Sequence, residues 1–248
     1  MKDDLGHPVD LTAPARRVVS LVPSLTEAIA ATRPEAVVGA TDWCTHPADL
    51  DVTRVRGTKN PDRAAIEALR PDVVLANREE NRELDVERLR SVGINVWVTK
   101  IETVDEAFAS MARMFAALGW DEPGWLADAK AVWDAPAAPS GLRVAVPIWR
   151  DPWMVVGSRT FTGDVLARLG LVNAFRESDS RYPHVELSDI DRDDIDLVLL
   201  PDEPYVFTAD DGPSAFTQVP TVLVSGRALT WYGPSMLTAR DELLAAMD

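Results

Sequence analysis

The sequence is poor in cysteine, in positive charge and in long apolar runs, and each shortage excludes a class of protein. Its single cysteine, Cys44, allows no disulfide within the chain and is typical of a reducing compartment. The 25 Lys and Arg against 40 Asp and Glu give a net charge of −15, which argues against nucleic acid or an anionic membrane as a partner. No apolar run approaches the roughly 20 residues of a membrane helix, and residues 1–8 lack the apolar core of a signal peptide. We therefore expect a cytoplasmic protein without membrane insertion.

Motifs of common enzymes are also missing. The sequence contains no G-x-G-x-x-G, Walker, H-E-x-x-H or G-x-S-x-G pattern, and no acid is placed to orient His46 beside Cys44. The acidic run 189–196 resembles a calcium loop, but Asp194 and Leu200 replace the glycine and the glutamate that such a loop needs. We expect a solvated acidic turn there and assign no catalytic residue.

The sequence does contain a repeat of three apolar segments. The segments are residues 17–22, 72–76 and 95–99, and they recur as residues 143–148, 196–200 and 221–225, at offsets of 124 to 126. Apolar runs without polar alternation indicate strands buried on both faces, as in parallel α/β sheets. Two such sets predict an α/β fold with two similar Rossmann-like lobes and mostly parallel sheets.

Helix signals separate these strands, which gives the βαβα order of a parallel sheet. Residues 24–27, Ser-Leu-Thr-Glu, match a capping box and predict a helix that runs to Ala31. Asn81 is expected to cap a further helix that Gly93 closes. Other helices are predicted over residues 63–69, 162–170 and 233–247.

Residues 102–140 are predicted to link the lobes by helix. A second capping box over 103–106 is followed by apolar residues at helical spacing, and another helix is predicted over 125–133. We therefore divide the chain into an N-terminal lobe (1–101), a helical linker (102–140) and a C-terminal lobe (141–248). A helical connection resists bending, so we expect little rotation between the lobes.

Several of these segments together resemble one family. Residues 17–27 (R-V-V-S-L-V-P-S-L-T-E), 37–41 (V-V-G-A-T), 70–76 (R-P-D-V-V-L-A) and 89–98 are similar to the N-terminal lobe of the helical-backbone metal receptors. These are the class III substrate-binding proteins of ABC importers for cobalamin, ferric siderophores and haem. The similarity continues through 155–157 and 233–235, and it is strongest to the cobalamin-binding branch.

The resemblance implies a ligand held between the lobes by loops at the carboxyl ends of the strands, which is also where open α/β sheets place ligands. Four of the eight tryptophans fall in such loops instead of on core faces, and flat apolar walls suit a corrin or a porphyrin. By alignment, Trp43 and Tyr182 stand where cobalamin binders place aromatic rings. The predicted ligand-binding residues are Ser24, Trp43, Lys59, Asn60, Arg78, Glu79, Trp149, Trp153, Tyr182, Glu203, Arg227, Trp231 and Tyr232.

Charged residues in the same loops leave alternatives open. Arg78, Arg150 and Arg227 would pair with carboxylates of an anionic ligand, or with acids of the protein itself. Arg227 stands where cobalamin binders carry an acid, which favours an anionic chelate. His46 and His184 are weak candidates for axial metal ligands, and we otherwise expect no metal site.

The sequence thus predicts a cytoplasmic, monomeric binding protein for a cobalamin-like corrinoid or a related metal chelate, with no required cofactor. A ferric siderophore, haem or another anionic chelate is the second hypothesis. An enzyme that uses Glu79, Glu80 or His184 as acid or base is the third. Docking to an ABC permease is doubtful, because only Glu83 matches a docking glutamate of the family and Ser188 stands at the other position.

Overall fold

The computed structural model describes residues 1–135 and 137–247. The chain forms two compact α/β units. Unit 1 comprises Met1–Lys100, Glu106–Ala127 and Tyr232–Pro234, and unit 2 comprises Ile101–Asp105, Asp128–Trp231 and Ser235–Asp248. The predicted fold class, α/β with mostly parallel sheets, is confirmed. The three-part division at residues 101 and 140 stays a prediction.

Unit 1 contains a five-stranded parallel sheet with its helices between the strands. Its strands are β1 (Val18–Ser20), β2 (Val37–Ala40), β3 (Thr53–Arg54), β4 (Arg56–Gly57), β5 (Asn60–Pro61), β6 (Val73–Asn77) and β7 (Val96–Thr99), and its helices are α1 (Pro23–Ala30), α2 (Arg63–Leu69) and α3 (Glu83–Ser91). The sheet order is β3-β2-β1-β6-β7, and β4 pairs with β5 as an antiparallel hairpin. Val19, Leu21 and Val74 are fully buried in its core, as the apolar pattern predicts.

Two helices lie where the chain passes from one unit to the other. Helix α4 (Val104–Ala117) and helix α5 (Gly124–Asp134) each contain a point at which the chain passes from one unit to the other. The apolar stripe of α4 is buried: Met111 and Phe115 are 0% exposed, and Leu118, which follows the helix, is 1% exposed. Among the described residues, no helix is both long enough and apolar enough to span a bilayer.

Unit 2 repeats the design with a four-stranded parallel sheet of order β11-β8-β12-β13. Its strands are β8 (Arg143–Ala145), β9 (Pro147–Trp149), β10 (Met154–Val155), β11 (Val172–Asn173), β12 (Leu197–Pro201) and β13 (Thr221–Val224), and its helices are α6 (Phe161–Arg168), α7 (Gly226–Thr230) and α8 (Met236–Met247). The predicted strand 143–148 is split in two, because β9 pairs with β10 instead of continuing the sheet. Leu223 is 41% exposed on the edge strand β13, so the prediction that this strand is buried on both faces is wrong.

Three predicted helix starts are wrong, those of α1, α3 and α8. Helix α1 begins at Pro23, which fits the first helical position because it needs no N–H partner there, and Ser24 is a buried residue inside the helix. Asn81 does not cap α3, because its side chain bonds to other loops. Helix α8 begins at Met236, three residues later than predicted, and the short helix α7 was not predicted.

The N-terminal segment is fastened to unit 1 by two buried carboxylates. Asp3 accepts hydrogen bonds from the backbone N–H groups of Leu5 and His7 and from Arg90 of α3, the last at 2.6 Å. Asp4 accepts bonds from the N–H of Lys100 and from Ser110 and Arg113 of α4. Both carboxylates are at most 4% exposed. Residues 1–9 therefore form part of the folded unit.

Four of the five aspartates in the acidic run 189–196 are exposed, as a solvated turn requires, but Asp191 is buried. Its carboxylate accepts bonds of 2.9 Å from the N–H groups of Thr217, Gln218 and Val219 and from the Thr217 hydroxyl. Burial alone would raise the pKa of Asp191, but these donors outweigh it and hold the pKa below its usual value. Asp191 thus fixes the loop before β13.

Replacing Asp191 with asparagine should destabilise unit 2 by about 2 kcal/mol at neutral pH, because one oxygen that accepts charge-assisted bonds is lost. Since the folded pKa lies below the unfolded value of about 4, this stabilisation is complete above pH 4 and is lost as the pH falls further. Chemical denaturation at several pH values checks it. The exposed Asp193→Asn is the control, and equal stability of both variants at pH 7 would contradict the prediction.

Candidate functional site

The loops at the carboxyl edge of the unit 1 sheet are joined by Asn81. Its amide donates to the carbonyl oxygens of Leu21, 3.3 Å away, and Thr58, 3.0 Å away, and its oxygen accepts a bond of 2.8 Å from the N–H of Asn77. The Asn77 side chain in turn donates to Thr99 at the end of β7. Three of the loops predicted to carry the site, which follow β1, β4 and β6, are therefore held together by buried amides.

Trp43 is the most exposed large apolar side chain of the described residues. It lies in the loop after β2 and is 66% exposed. Its indole nitrogen lies beside Gly57 of the β4–β5 hairpin, at 3.3 Å from the position that a Cβ would occupy there. An indole held at one edge with its face in water is a ready contact surface for a flat ligand.

The polar residues predicted in unit 1 are spread over this edge. The Lys59 ammonium donates to the carbonyl oxygen of Glu79, which ties the hairpin to the loop after β6. Burial lowers the pKa of Lys59, although nearby Glu80 opposes that shift. Asn60 is exposed in β5, and Arg78 lines a cavity of about 360 Å³ beside α3 together with Asn77 and Asn81. The structure therefore brings Lys59 and Glu79 together and places Arg78 at a cavity that the loop-joining amides also line.

Ser24 and Tyr232 are packed inside unit 1. Tyr232 is 5% exposed and Ser24 is 3% exposed. Burial raises the pKa of Tyr232 far above its ordinary value, so the phenol stays protonated. Both residues are buried, so they offer little surface to a ligand.

In unit 2 an aromatic and ionic cluster stands at the corresponding edge. Trp149, at the end of β9, is 46% exposed and packs edge to face on Tyr205 with ring centroids 5.5 Å apart. The Tyr205 hydroxyl donates to Asp211 at 2.6 Å, which raises the pKa of the phenol. Asp211 and Asp151 both pair with Arg150. The charge of Arg150 is therefore compensated within the protein.

Trp153 is a core residue, and its predicted place away from core faces is wrong. It is 8% exposed and stacks on Phe207 with ring centroids 6.1 Å apart. Arg150 covers the same ring, with its guanidinium carbon 5.4 Å from the centroid. The turn after β9 folds back into the antiparallel partner β10, and this return carries Trp153 inward. Trp231, at 7% exposure, is also mostly buried.

Glu203 lies in the loop that follows β12, and Arg227 lies in helix α7, which follows β13. Burial and the neighbouring Asp202 raise the pKa of Glu203, while hydrogen bonds with Trp231 and Thr230 and the charge of Arg227 oppose the shift. The Arg227 guanidinium lies over the Trp231 ring, 5.8 Å from its centroid. Glu203 and Arg227 form one electrostatic cluster, so neither acts as an isolated charge.

The two candidate metal ligands lie in loops that also carry predicted aromatic contacts, His46 in the Trp43 loop and His184 two residues after Tyr182. Tyr182 is partly exposed in the loop after β11. His46 Nδ1 lies 3.1 Å from the Thr45 hydroxyl, and His184 forms an isolated β-bridge with Met154. Within residues 1–135 and 137–247, no group of three His, Cys, Asp or Glu side chains is placed to hold a metal ion.

Sequence reasoning missed the residues that hold the loops in place. Arg54, Asn77, Asn81 and Asp211 act through hydrogen bonds to residues in other loops. Only the position of Asn77 and Asn81 in the sequence could have indicated their role. They follow directly after an apolar strand, where polar side chains are expected at the edge of the sheet.

Comparisons with known proteins identify similar chains. No family model matches the sequence. The vitamin B12-binding protein of Pectobacterium atrosepticum is 25% identical over 257 residues, which covers 94% of this chain and 88% of that protein. The crystal structure of the periplasmic vitamin B12 binding protein of Vibrio cholerae superposes with a TM-score of 0.71 at 19% identity, covering 94% and 97% of the two chains. A periplasmic heme binding protein from Pseudomonas aeruginosa gives 0.75 at 20% identity, covering 94% and 92%.

The comparisons correct one expectation and support another. The expected cytoplasmic location is wrong, because the matched structures are of periplasmic proteins and nothing in the comparisons indicates the cytoplasm. The matched proteins are named for binding vitamin B12 or heme and not for catalysis. The homologues and structural neighbours of this chain are thus class III periplasmic binding proteins, and the resemblance to that family, with its α/β fold, is confirmed.

Proposed function

We propose that the protein is a class III binding protein for a corrinoid of the cobalamin type, working outside the cytoplasm. Its ligand is a cargo and not a cofactor, and we propose no catalytic role. The loops at the carboxyl edges of the two sheets carry the binding residues. The proposed contacts are Trp43, Lys59, Asn60 and Glu79 in unit 1, and Trp149, Tyr182, Glu203 and Arg227 in unit 2.

The observation that carries the proposal is the exposure of two indoles at these edges. Trp43 is 66% exposed and Trp149 is 46% exposed, although each is anchored by a neighbour. Large apolar rings kept in water by a folded scaffold mark binding surfaces, and rigid aromatic anchors dominate binding energies. Flat rings suit the extended faces of a macrocycle.

The charges favour a neutral macrocycle over an anionic chelate. Arg150 is paired with Asp151 and Asp211, and the charge of Arg227 opposes the raised pKa of Glu203. An anionic ligand would have to compete with Asp151 and Asp211 for the Arg150 guanidinium, which would cost the protein those pairs. The neighbouring Asp202 and Asp210 add further negative charge to the same edge. A neutral corrinoid avoids this repulsion.

The experiment is a titration of the purified protein with cyanocobalamin, hemin and a ferric siderophore, followed by tryptophan fluorescence and calorimetry. We expect cyanocobalamin to bind at micromolar concentration or below, with an affinity that changes little with added salt because no ion pair forms. Tight, salt-sensitive binding of hemin or the siderophore without cyanocobalamin binding would contradict the corrinoid assignment and support the anionic alternative.

Delivery of the ligand to an ABC permease is the second part of the proposal. Glu83 is exposed at the start of α3, where a permease could reach it. We propose that a monomer docks through this surface. Glu83→Lys should leave cyanocobalamin affinity unchanged and abolish uptake through a reconstituted permease. Unchanged uptake would exclude Glu83 from docking.

A further inference from the structure

The loop that presents Trp43 is fixed from within by one guanidinium group. Arg54 Nη1 donates to the carbonyl oxygens of Thr41 at 3.0 Å and Cys44 at 2.9 Å, and its Nη2 donates to Leu50 at 3.2 Å. These three carbonyls lie before, just after and well beyond Trp43 along the loop. The planar fork of arginine can serve several acceptors at fixed angles, whereas a lysine ammonium cannot reproduce that geometry.

The Cys44 side chain is a second anchor for the same loop. It is fully buried, and its sulfur lies 3.0 Å from the Thr26 hydroxyl of α1 and 3.1 Å from the Thr41 hydroxyl. Burial raises the pKa of Cys44, so the side chain stays a neutral thiol. The residue after Trp43 is therefore held in the core while Trp43 itself points to solvent.

The indole also has a fixed seat. Gly57 leaves room for its edge, because a Cβ there would lie 3.3 Å from the Trp43 nitrogen and 2.5 Å from the Asn60 side-chain oxygen. The N–H of Asp42 donates to the carbonyl oxygen of Arg56, which joins the Trp43 loop to the same hairpin. The Trp43 loop and the β4–β5 hairpin that contacts the indole are thus joined by the short segment from Arg54 to Arg56.

We propose that Arg54 is a positioning residue for the macrocycle-binding face of Trp43, an inference that rests on the proposed function. Arg54 does not touch the ligand. It holds the loop in the conformation in which the indole is already displayed, so that binding does not have to order the loop. When a loop is competent for only part of the time, the apparent affinity falls by that fraction.

The test compares Arg54→Gln and Arg54→Lys with the wild type. Both variants should bind cyanocobalamin about tenfold more weakly, because the loop would then be competent for about a tenth of the time. In the free protein, both variants should increase acrylamide quenching of the Trp43 fluorescence. The Trp43 signal is the difference between a protein and its Trp43→Phe counterpart, measured once with Arg54 intact and once with Arg54 replaced. Arg63→Gln is the matched control, since this arginine is exposed at the start of α2 and lies outside both the Trp43 loop and the β4–β5 hairpin.

A double-mutant cycle separates positioning from general destabilisation. With Trp43 replaced by alanine, Arg54→Gln should no longer weaken binding, because there is no indole left to position. A further tenfold loss in that background would overturn the proposal, and so would unchanged affinity and unchanged quenching in both Arg54 variants. If the wild type binds no macrocycle, the proposed function fails, while the quenching of the free protein still decides whether Arg54 fixes the loop.

Discussion

Asp3→Ala is expected to lower the free energy of unfolding of unit 1 by about 3 to 5 kcal/mol, the cost of removing one partner from a buried ion pair. The Asp3 carboxylate is 0% exposed and bonds to Arg90 at 2.6 Å, and it also accepts N–H bonds from Leu5, His7 and Val98. Its removal leaves the Arg90 guanidinium and these N–H groups without their acceptor. Urea denaturation followed by the fluorescence of unit 1 measures the loss.

Asp10→Ala is the matched control, because Asp10 is exposed a few residues further along. It should change the stability by no more than about 0.5 kcal/mol, as surface substitutions do. Asp3→Asn should give an intermediate loss, since the amide keeps one acceptor oxygen but lacks the charge. If Asp3→Ala were as stable as Asp10→Ala, the N-terminal segment would contribute nothing to the fold of unit 1.

Asp3 also shows why part of the fold could not be predicted from the sequence. Its partners Arg90 and Val98 lie 87 and 95 residues away, and neither is marked by periodicity or by a motif. The six apolar strands could be predicted, because burial on both faces imposes a local composition. A polar contact between distant segments imposes none, so nothing in residues 1–9 predicts their contacts with unit 1.

The helix starts illustrate a competition between two local signals. The capping-box pattern at Ser24 and the proline at position 23 predict starts two residues apart, and the proline decides because its fixed φ suits the first helical turn. At Asn81 the expected cap is used for the loops instead. Tertiary hydrogen bonds took precedence there over local propensity.

The candidate site was predictable to the level of its loops. The rule that ligands bind at the carboxyl ends of parallel strands selects loops without a structure, but it does not say which side chains point outwards. Trp153 and Trp43 look alike in the sequence, yet one stacks on Phe207 in the core and the other is exposed. The return of the chain from β9 into β10 makes that difference.

Replacing both Trp43 and Trp149 with alanine should weaken cyanocobalamin binding by a factor of about 100 or more. A well-placed aromatic anchor contributes on the order of 1.5 to 2 kcal/mol, which is about tenfold to thirtyfold in affinity for each ring. The two indoles belong to different units and share no partner among the described contacts, so their contributions should add. Calorimetric titration of both single variants and of the double variant measures this.

The control is Val92→Ala, which removes an apolar side chain that is 53% exposed and follows α3 at the opposite end of that helix from the binding loops. It should leave the affinity unchanged, and circular dichroism should show that all variants keep the fold. Because both indoles are exposed, their loss creates no cavity, so a fall in affinity would report a lost ligand contact and not an altered core. Wild-type affinity in the double variant would mean that neither ring contacts the ligand and that the exposed indoles serve another partner.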